Sequence, residues 1–141
     1  MEMVREGYRR AGLDARVEPF LFEMDREMSA ADLIVCRAGA ATLAEVTAAG
    51  RAAILVPLPT ATDDHQRRNA EALSAAGAAQ MVDQRELTGE RLAAEVLSLA
   101  RNREARLRMG DAARNVARPD AARTIADQAL ALIGRAPTAT D

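Results

Sequence analysis

The chain has 141 residues, 49% of them hydrophobic, and its 19 basic and 21 acidic side chains leave a formal charge of −2. That is one domain's worth of chain, and with no basic block, one Tyr, two Phe and no Trp it disfavours nucleic-acid binding. A single cysteine, Cys36, excludes an internal disulfide and any cysteine-based zinc cluster. No apolar run is long enough to span a bilayer, and the start "MEMVREGYRRAG" has no signal-peptide core. The expectation is a soluble, intracellular globular protein. Much of its apolar content is alanine, so close helix–sheet packing must supply what large side chains do not.

In chain order, residues 1–11 read as a short helix stopped by Gly12, and "ARVEPF" (15–20) as a short strand ending near Pro19. Residues 23–31 are predicted helical. "DLIVC" (32–36) is a continuous apolar run, the form of a strand covered on both faces of a parallel sheet. A helix is predicted over 42–49 with Gly50 as its stop, then a second buried strand over 52–57. "LPTATDD" reads as a loop, followed by a helix over 64–76 ended by Gly77 and a third strand over 78–82. Beyond Thr88 three helices follow, marked by Leu92, Val96 and Leu99, by Leu107, and by Ile125, Ala129 and Leu132. The domain is expected to span 1–134, with 135–141 as a frayed tail. No repeat or linker divides it.

Strand–helix alternation at this spacing predicts an α/β fold: a Rossmann-like parallel sheet with right-handed crossovers and helices on both faces. Ligands in such sheets bind beyond the carboxyl ends of the strands, which directs attention to "CRAGAAT" and "VPLPTATDDHQ". The chain opens in a helix with no Gly-rich strand–turn–helix ahead of it, so the first βα unit of a nucleotide-binding sheet is expected to be missing.

In "RAGAATLAE", Gly39 permits a tight turn just before a helix start. Bare N–H groups and the macrodipole at a helix start attract phosphate; Thr42 adds a hydroxyl and Arg37 a full charge. Glu45 lies one turn on and can accept hydrogen bonds from two ribose hydroxyls. The same Thr42–Glu45 spacing is also a capping box that needs no ligand.

In "PLPTATDDHQRRNA", a polar loop delivers Asp63, Asp64, His65, Gln66 and Asn69 to a second helix start. Gln66 and Asn69, three apart, can share a face toward sugar hydroxyls. The plain alternative makes Asp63 an N-cap with Gln66 at the third helical position. His65 is the only histidine and has no metal partners at useful spacing, and no serine elbow supports a hydrolytic triad. The arginine-rich stretch 101–118 reads as a solvated helix face, with membrane-surface contact as the alternative.

Three linked pieces carry a resemblance: R-x-G-A-x-T-x-x-E, the "AAG-x-x-AILVPLP" strand and the "HQ-x-x-NA" helix start. Over residues 12–134 the chain resembles the C-terminal half of the bacterial glycosyltransferases that add N-acetylglucosamine to lipid I in peptidoglycan synthesis. The resemblance implies a GT-B fold of two Rossmann-like domains, with this half holding UDP-N-acetylglucosamine. Glu45 would bind the ribose. Gly39, Ala40, Ala41 and Thr42 would form the turn and helix start that meet the diphosphate and sugar. Arg37 would sit near the phosphates, His65 and Gln66 near the sugar, and Asn69 would support them.

The family's Gly-rich loop and its N-terminal domain, which binds the acceptor, carries the base and faces the membrane, have no counterpart here. The resemblance thus implies a partial transferase beginning at an internal Met and inactive alone, with uracil contacts falling near Phe20–Phe22. The full enzyme would be cytoplasmic, peripheral on the inner face of the membrane, and would need no metal or other cofactor. Two other readings stand: a UDP-sugar-binding subunit of a split transferase, and a non-catalytic Rossmann-like fragment.

Overall fold

A computed structural model describes residues 1–60 and 64–134. Its elements run α1 (Glu2–Arg10), α2 (Met24–Ala30), β1 (Leu33–Cys36), α3 (Ala40–Ala49), β2 (Ala52–Leu55), α4 (His65–Ala75), β3 (Gln80–Met81), a 3-10 turn (Gln84–Glu86), α5 (Gly89–Ala100), α6 (Arg103–Val116) and α7 (Ala121–Leu132). The expected tail lies outside the described residues, as does Asp63.

The three strands form one parallel sheet in the order β1-β2-β3. Leu33 pairs with Ala52 and Cys36 with Leu55, and Leu55 pairs in turn with Met81. In β2 every residue is buried. The pleat sends alternate side chains to opposite faces. Ala53 and Leu55 join Met28, Leu43, Val46 and Ala70 from α2, α3 and α4. Ile54 joins Leu99 and Val96 of α5, with Ala105 and Met109 of α6, on the other face. Helices therefore cover both faces of β2, as its apolar run predicts, whereas β1, expected to be covered on both faces, is only partly buried. Fully burying Ile54, Leu55 or Val46 stabilises the fold by about 1.5–3 kcal/mol each. Ala38, Ala53, Ala70 and Ala113 have no exposed surface, so the alanine content serves close approach of backbone to backbone.

The segment 15–20 is not a strand. A strand persists only where its backbone groups find a neighbour, and here Val17 O instead accepts from the Arg5 guanidinium at 2.9 Å. Pro19, lacking an N–H, weakens any ladder further. The third strand is shorter than expected, two residues rather than five. As an edge of this sheet β1 leaves Val35 44% exposed, unlike the residues of β2.

One contact ties the second face together. Gly50 ends α3 in the left-handed region, at φ 60° and ψ 45°. Gly110, inside α6, packs on that turn so closely that a Cβ there would stand 2.5 Å from Gly50 O. The sequence reading marks Gly50 as a helix stop; nothing in the sequence marks Gly110 as its partner.

Candidate functional site at the carboxyl edge of the sheet

The segments leaving β1, β2 and β3 meet at one edge. The first, Arg37–Ala38–Gly39, turns straight into α3. Gly39 is the N-cap, in extended conformation at φ −69° and ψ 145°, and no side chain caps the helix. The first intrahelical bond is Leu43 N–H to Gly39 O at 2.9 Å. The N–H groups of Ala40, Ala41 and Thr42 therefore have no partner inside the helix. This corrects the capping-box alternative. The helix begins two residues before Thr42, which puts Thr42 in its first turn and leaves Glu45 a turn further along. Ala40, Ala41 and Glu45 are exposed and Thr42 is half-buried.

Arg37 is exposed, yet its guanidinium is tied to the protein. Its Nη1 donates to Val56 O at 3.1 Å and to Gln84 Oε1, linking the ends of β1 and β2 to the 3-10 turn after β3. Its Nε and Nη2 bond to no described residue. Gln84 escapes the sequence reading, although the rule that ligands gather at carboxyl ends points to the segment after β3 as well as to the other two.

The β2–α4 segment is built around Asp64, the N-cap of α4, which adopts φ 54° and ψ 25°. Such a conformation is uncommon for a non-glycine residue and tolerated best by Asn and Asp. Gln66 is not part of an N-terminal cap: its Oε1 accepts from Leu58 N–H at 3.0 Å, closing the loop back on the strand it left. Asn69 Nδ2 donates to Ala38 O at 3.2 Å, pinning α4 to the β1–α3 turn. His65 opens α4 and is exposed. Arg37, Gly39, Gln66 and Asn69 thus lie within one hydrogen-bonded frame, with the bare start of α3 beside it.

Two hollows flank this frame. One, of about 310 Å³, lies between α2 and α3 and is lined by Glu45, Ala48 and Ala49 against Asp25, Met28 and Ser29. The other, of about 560 Å³, lies beyond β2 and β3 and is lined by Pro57, Leu58, Pro59, Asp64, Arg67, Asp83 and Arg85. There Arg67 bridges Asp83 at 2.6 Å and Glu71 at 3.0 Å. The Arg85 backbone N–H, then the Arg67 guanidinium, hold the Asp83 carboxyl below its ordinary range. Phe20 and Phe22, in the segment leading to α2, are exposed and meet edge to face, their ring centroids 5.0 Å apart. Among the described residues no group of three or more His, Cys, Asp or Glu is placed to hold a metal ion. No described helix is long and apolar enough to cross a membrane.

Residues 2–125 match the family described as glycosyltransferase family 28 C-terminal domain. The chain belongs to that family. This family 28 domain is 53% identical over 129 residues to the UDP-N-acetylglucosamine--N-acetylmuramyl-(pentapeptide) pyrophosphoryl-undecaprenol N-acetylglucosamine transferase of Pelobacter propionicus, an alignment covering 92% of the domain and 34% of that enzyme. It is 48% identical over 134 residues to the enzyme of the same name from an Anaeromyxobacter species, covering 95% and 35%. The crystal structure of Acinetobacter baumannii MurG superposes with a TM-score of 0.82 at 41% identity, over 90% of this chain and 37% of that one. The expected α/β fold, the Rossmann-like C-terminal half of a GT-B glycosyltransferase, is therefore the fold of this family 28 domain. The chain spans about a third of the length of the curated relatives it matches.

Proposed function

We propose that the chain is the donor-binding half of a glycosyltransferase that moves N-acetylglucosamine from UDP-N-acetylglucosamine to lipid I, at the inner face of the bacterial membrane. The observation that carries this reading is the uncapped start of α3, with three backbone N–H groups beside Arg37 and a carboxylate one turn on. A diphosphate takes the N–H groups and the Thr42 hydroxyl, where the macrodipole favours negative charge. Glu45 accepts from the ribose hydroxyls in the hollow between α2 and α3, so the uracil points toward Phe20–Phe22. The sugar then extends the other way, toward His65 and Gln66 at the start of α4, while Asn69 holds the turn beneath it.

The chemistry asked of this half is stabilisation of the leaving UDP. When the glycosidic C1–O bond breaks, its electron pair passes to the diphosphate. The fixed N–H groups and the Arg37 Nε and Nη2 donors meet the charge that develops there, with no reorganisation needed. The acceptor hydroxyl attacks the opposite face of the anomeric carbon, inverting it, and gives its proton to a base on the acceptor-binding half. No metal enters this scheme.

Glu45→Ala tests the reading most directly. Glu45 is exposed and bonds to no described residue, so folding should be unchanged. UDP affinity should fall by about 1.5–3 kcal/mol, the range for hydrogen bonds to a charged group. Calorimetry giving equal UDP affinity in both proteins would remove the ribose role.

Sugar recognition has a separate test. Gln66→Glu keeps the oxygen that accepts from Leu58 N–H and removes the amide donor. UDP-N-acetylglucosamine should bind about tenfold more weakly, as for one lost hydrogen bond, while UDP itself changes little. Equal losses for both ligands would place Gln66 in the loop's architecture alone.

A further inference from the structure

The opposite edge of the sheet carries a second charged constellation, which the donor site does not use. Asp32 precedes β1, and Gly50 and Arg51 precede β2, so they mark the amino edge. Together with Arg103, Arg106 and Arg114 of α6 they line a pocket of about 160 Å³. Four arginines thus line one small volume whose single lining carboxylate, Asp32, is 87% exposed and stands 4.0 Å from Arg106.

Each cation is held differently. Arg106 Nη1 donates to the carbonyls of Leu99 and Ala100, both at 2.6 Å, closing the end of α5, while its Nη2 has the largely exposed Asp32 carboxylate at 4.0 Å as counter-ion. Arg114 lies over Gly50 and pairs with Asp111 at 2.8 Å. Arg103 bonds to no described residue. Arg51 reaches the Ser29 carbonyl through Nη2, but its Nε is buried and has no hydrogen-bond partner. A buried donor left unmade is costly, and like charges this close repel unless an anion sits among them.

We propose that this pocket is an anion site for a phosphate group. Planar guanidinium forks match phosphate oxygens better than any other cationic side chain. Phosphate oxygens meet the guanidinium groups of Arg103 and Arg106, with the charge of Arg51 beside them. The group belongs either to a soluble phosphate compound or to an anionic phospholipid headgroup, and the two are separable by experiment.

Inorganic phosphate is titrated into the full chain at constant ionic strength, with the Arg51 Nε–H resonance as the readout, which isolates this pocket from the start of α3. A saturable shift absent with chloride is expected, and Arg103→Gln, at an exposed position, should weaken it about tenfold. Arg51→Gln, followed by phosphorus line width, should do the same. In parallel, vesicles of phosphatidylglycerol and of phosphatidylcholine are sedimented with the protein. Binding to the first alone, lost in Arg103→Gln and competed by free phosphate, assigns the headgroup; saturation by free phosphate without vesicle binding assigns a soluble ligand. No saturable phosphate shift together with no vesicle binding sensitive to Arg103→Gln overturns the proposal, as does unchanged phosphate affinity in both variants.

Discussion

Incubated with labelled UDP-N-acetylglucosamine and a lipid I analogue, the 141-residue chain is expected to yield no transfer product above a Glu45→Ala control. The groups proposed for the carboxyl-edge site all serve the donor: backbone N–H groups, Arg37, Glu45, and the amides of Gln66 and Asn69. None of these is assigned to the acceptor hydroxyl. Bringing two substrates into line supplies about 7–11 kcal/mol of barrier reduction where it is complete, and closing a cleft also excludes water. A surface that positions one substrate supplies neither. Adding the acceptor-binding half from a relative should restore transfer, and that restored activity should fall with Glu45→Ala. Product from the unsupplemented chain, above the control, would mean that the acceptor and its base are held within these residues.

Gly110→Ala is expected to destabilise the fold by about 2 kcal/mol, a large share of the total of about 5–15 kcal/mol usual for a domain. Two effects oppose each other. Alanine in a helix interior is favoured over glycine by about 1 kcal/mol. Against that, the new Cβ meets Gly50 O at 2.5 Å. That oxygen belongs to a backbone turn at φ 60°, itself packed beneath Arg114, so it cannot move aside as a flexible side chain can. Overpacking of this kind costs about 1–3 kcal/mol, more where backbone must shift, and the steric effect wins. Gly7, inside α1, has nothing within 4 Å of its hypothetical Cβ. Gly7→Ala should therefore leave stability unchanged or raise it by up to about 1 kcal/mol. Urea midpoints moving together in the two variants would show that the Gly50–Gly110 contact is not as tight as its geometry implies.

Several features need only local sequence. The run "AAILVP" marks a buried parallel strand because both of its faces are apolar, "LIVC" marks a parallel strand although its edge position leaves it only partly buried, and Gly50 marks a helix end because its position needs positive φ. The residues of the proposed donor site are legible for a similar reason. A phosphate-suited helix start, an acid one turn later and a polar second helix start are each set by spacings of three or four residues, within which a single helix or turn fixes relative placement.

What sequence spacing left open was which of two local arrangements wins. Thr42 and Glu45 satisfy a capping box on paper, yet α3 starts at Ala40 because Asn69, 31 residues from Ala38, holds the β1–α3 turn in place from another helix. Residues 15–20 have strand character, yet strand formation depends on a neighbouring strand, and their own spacing says nothing about one. Gln84 lies 47 residues from the arginine it holds, and Gly110 faces a turn 60 positions earlier. The four arginines of the amino-edge pocket come from the start of β2 and from one face of α6, and only packing brings the two together. Short-range geometry wrote the sheet strands, the helices and the groups of the candidate site into the sequence; contacts between distant segments, decided only when the sheet and helices pack, set where α3 begins, what holds Arg37 and where the second cluster of charge lies.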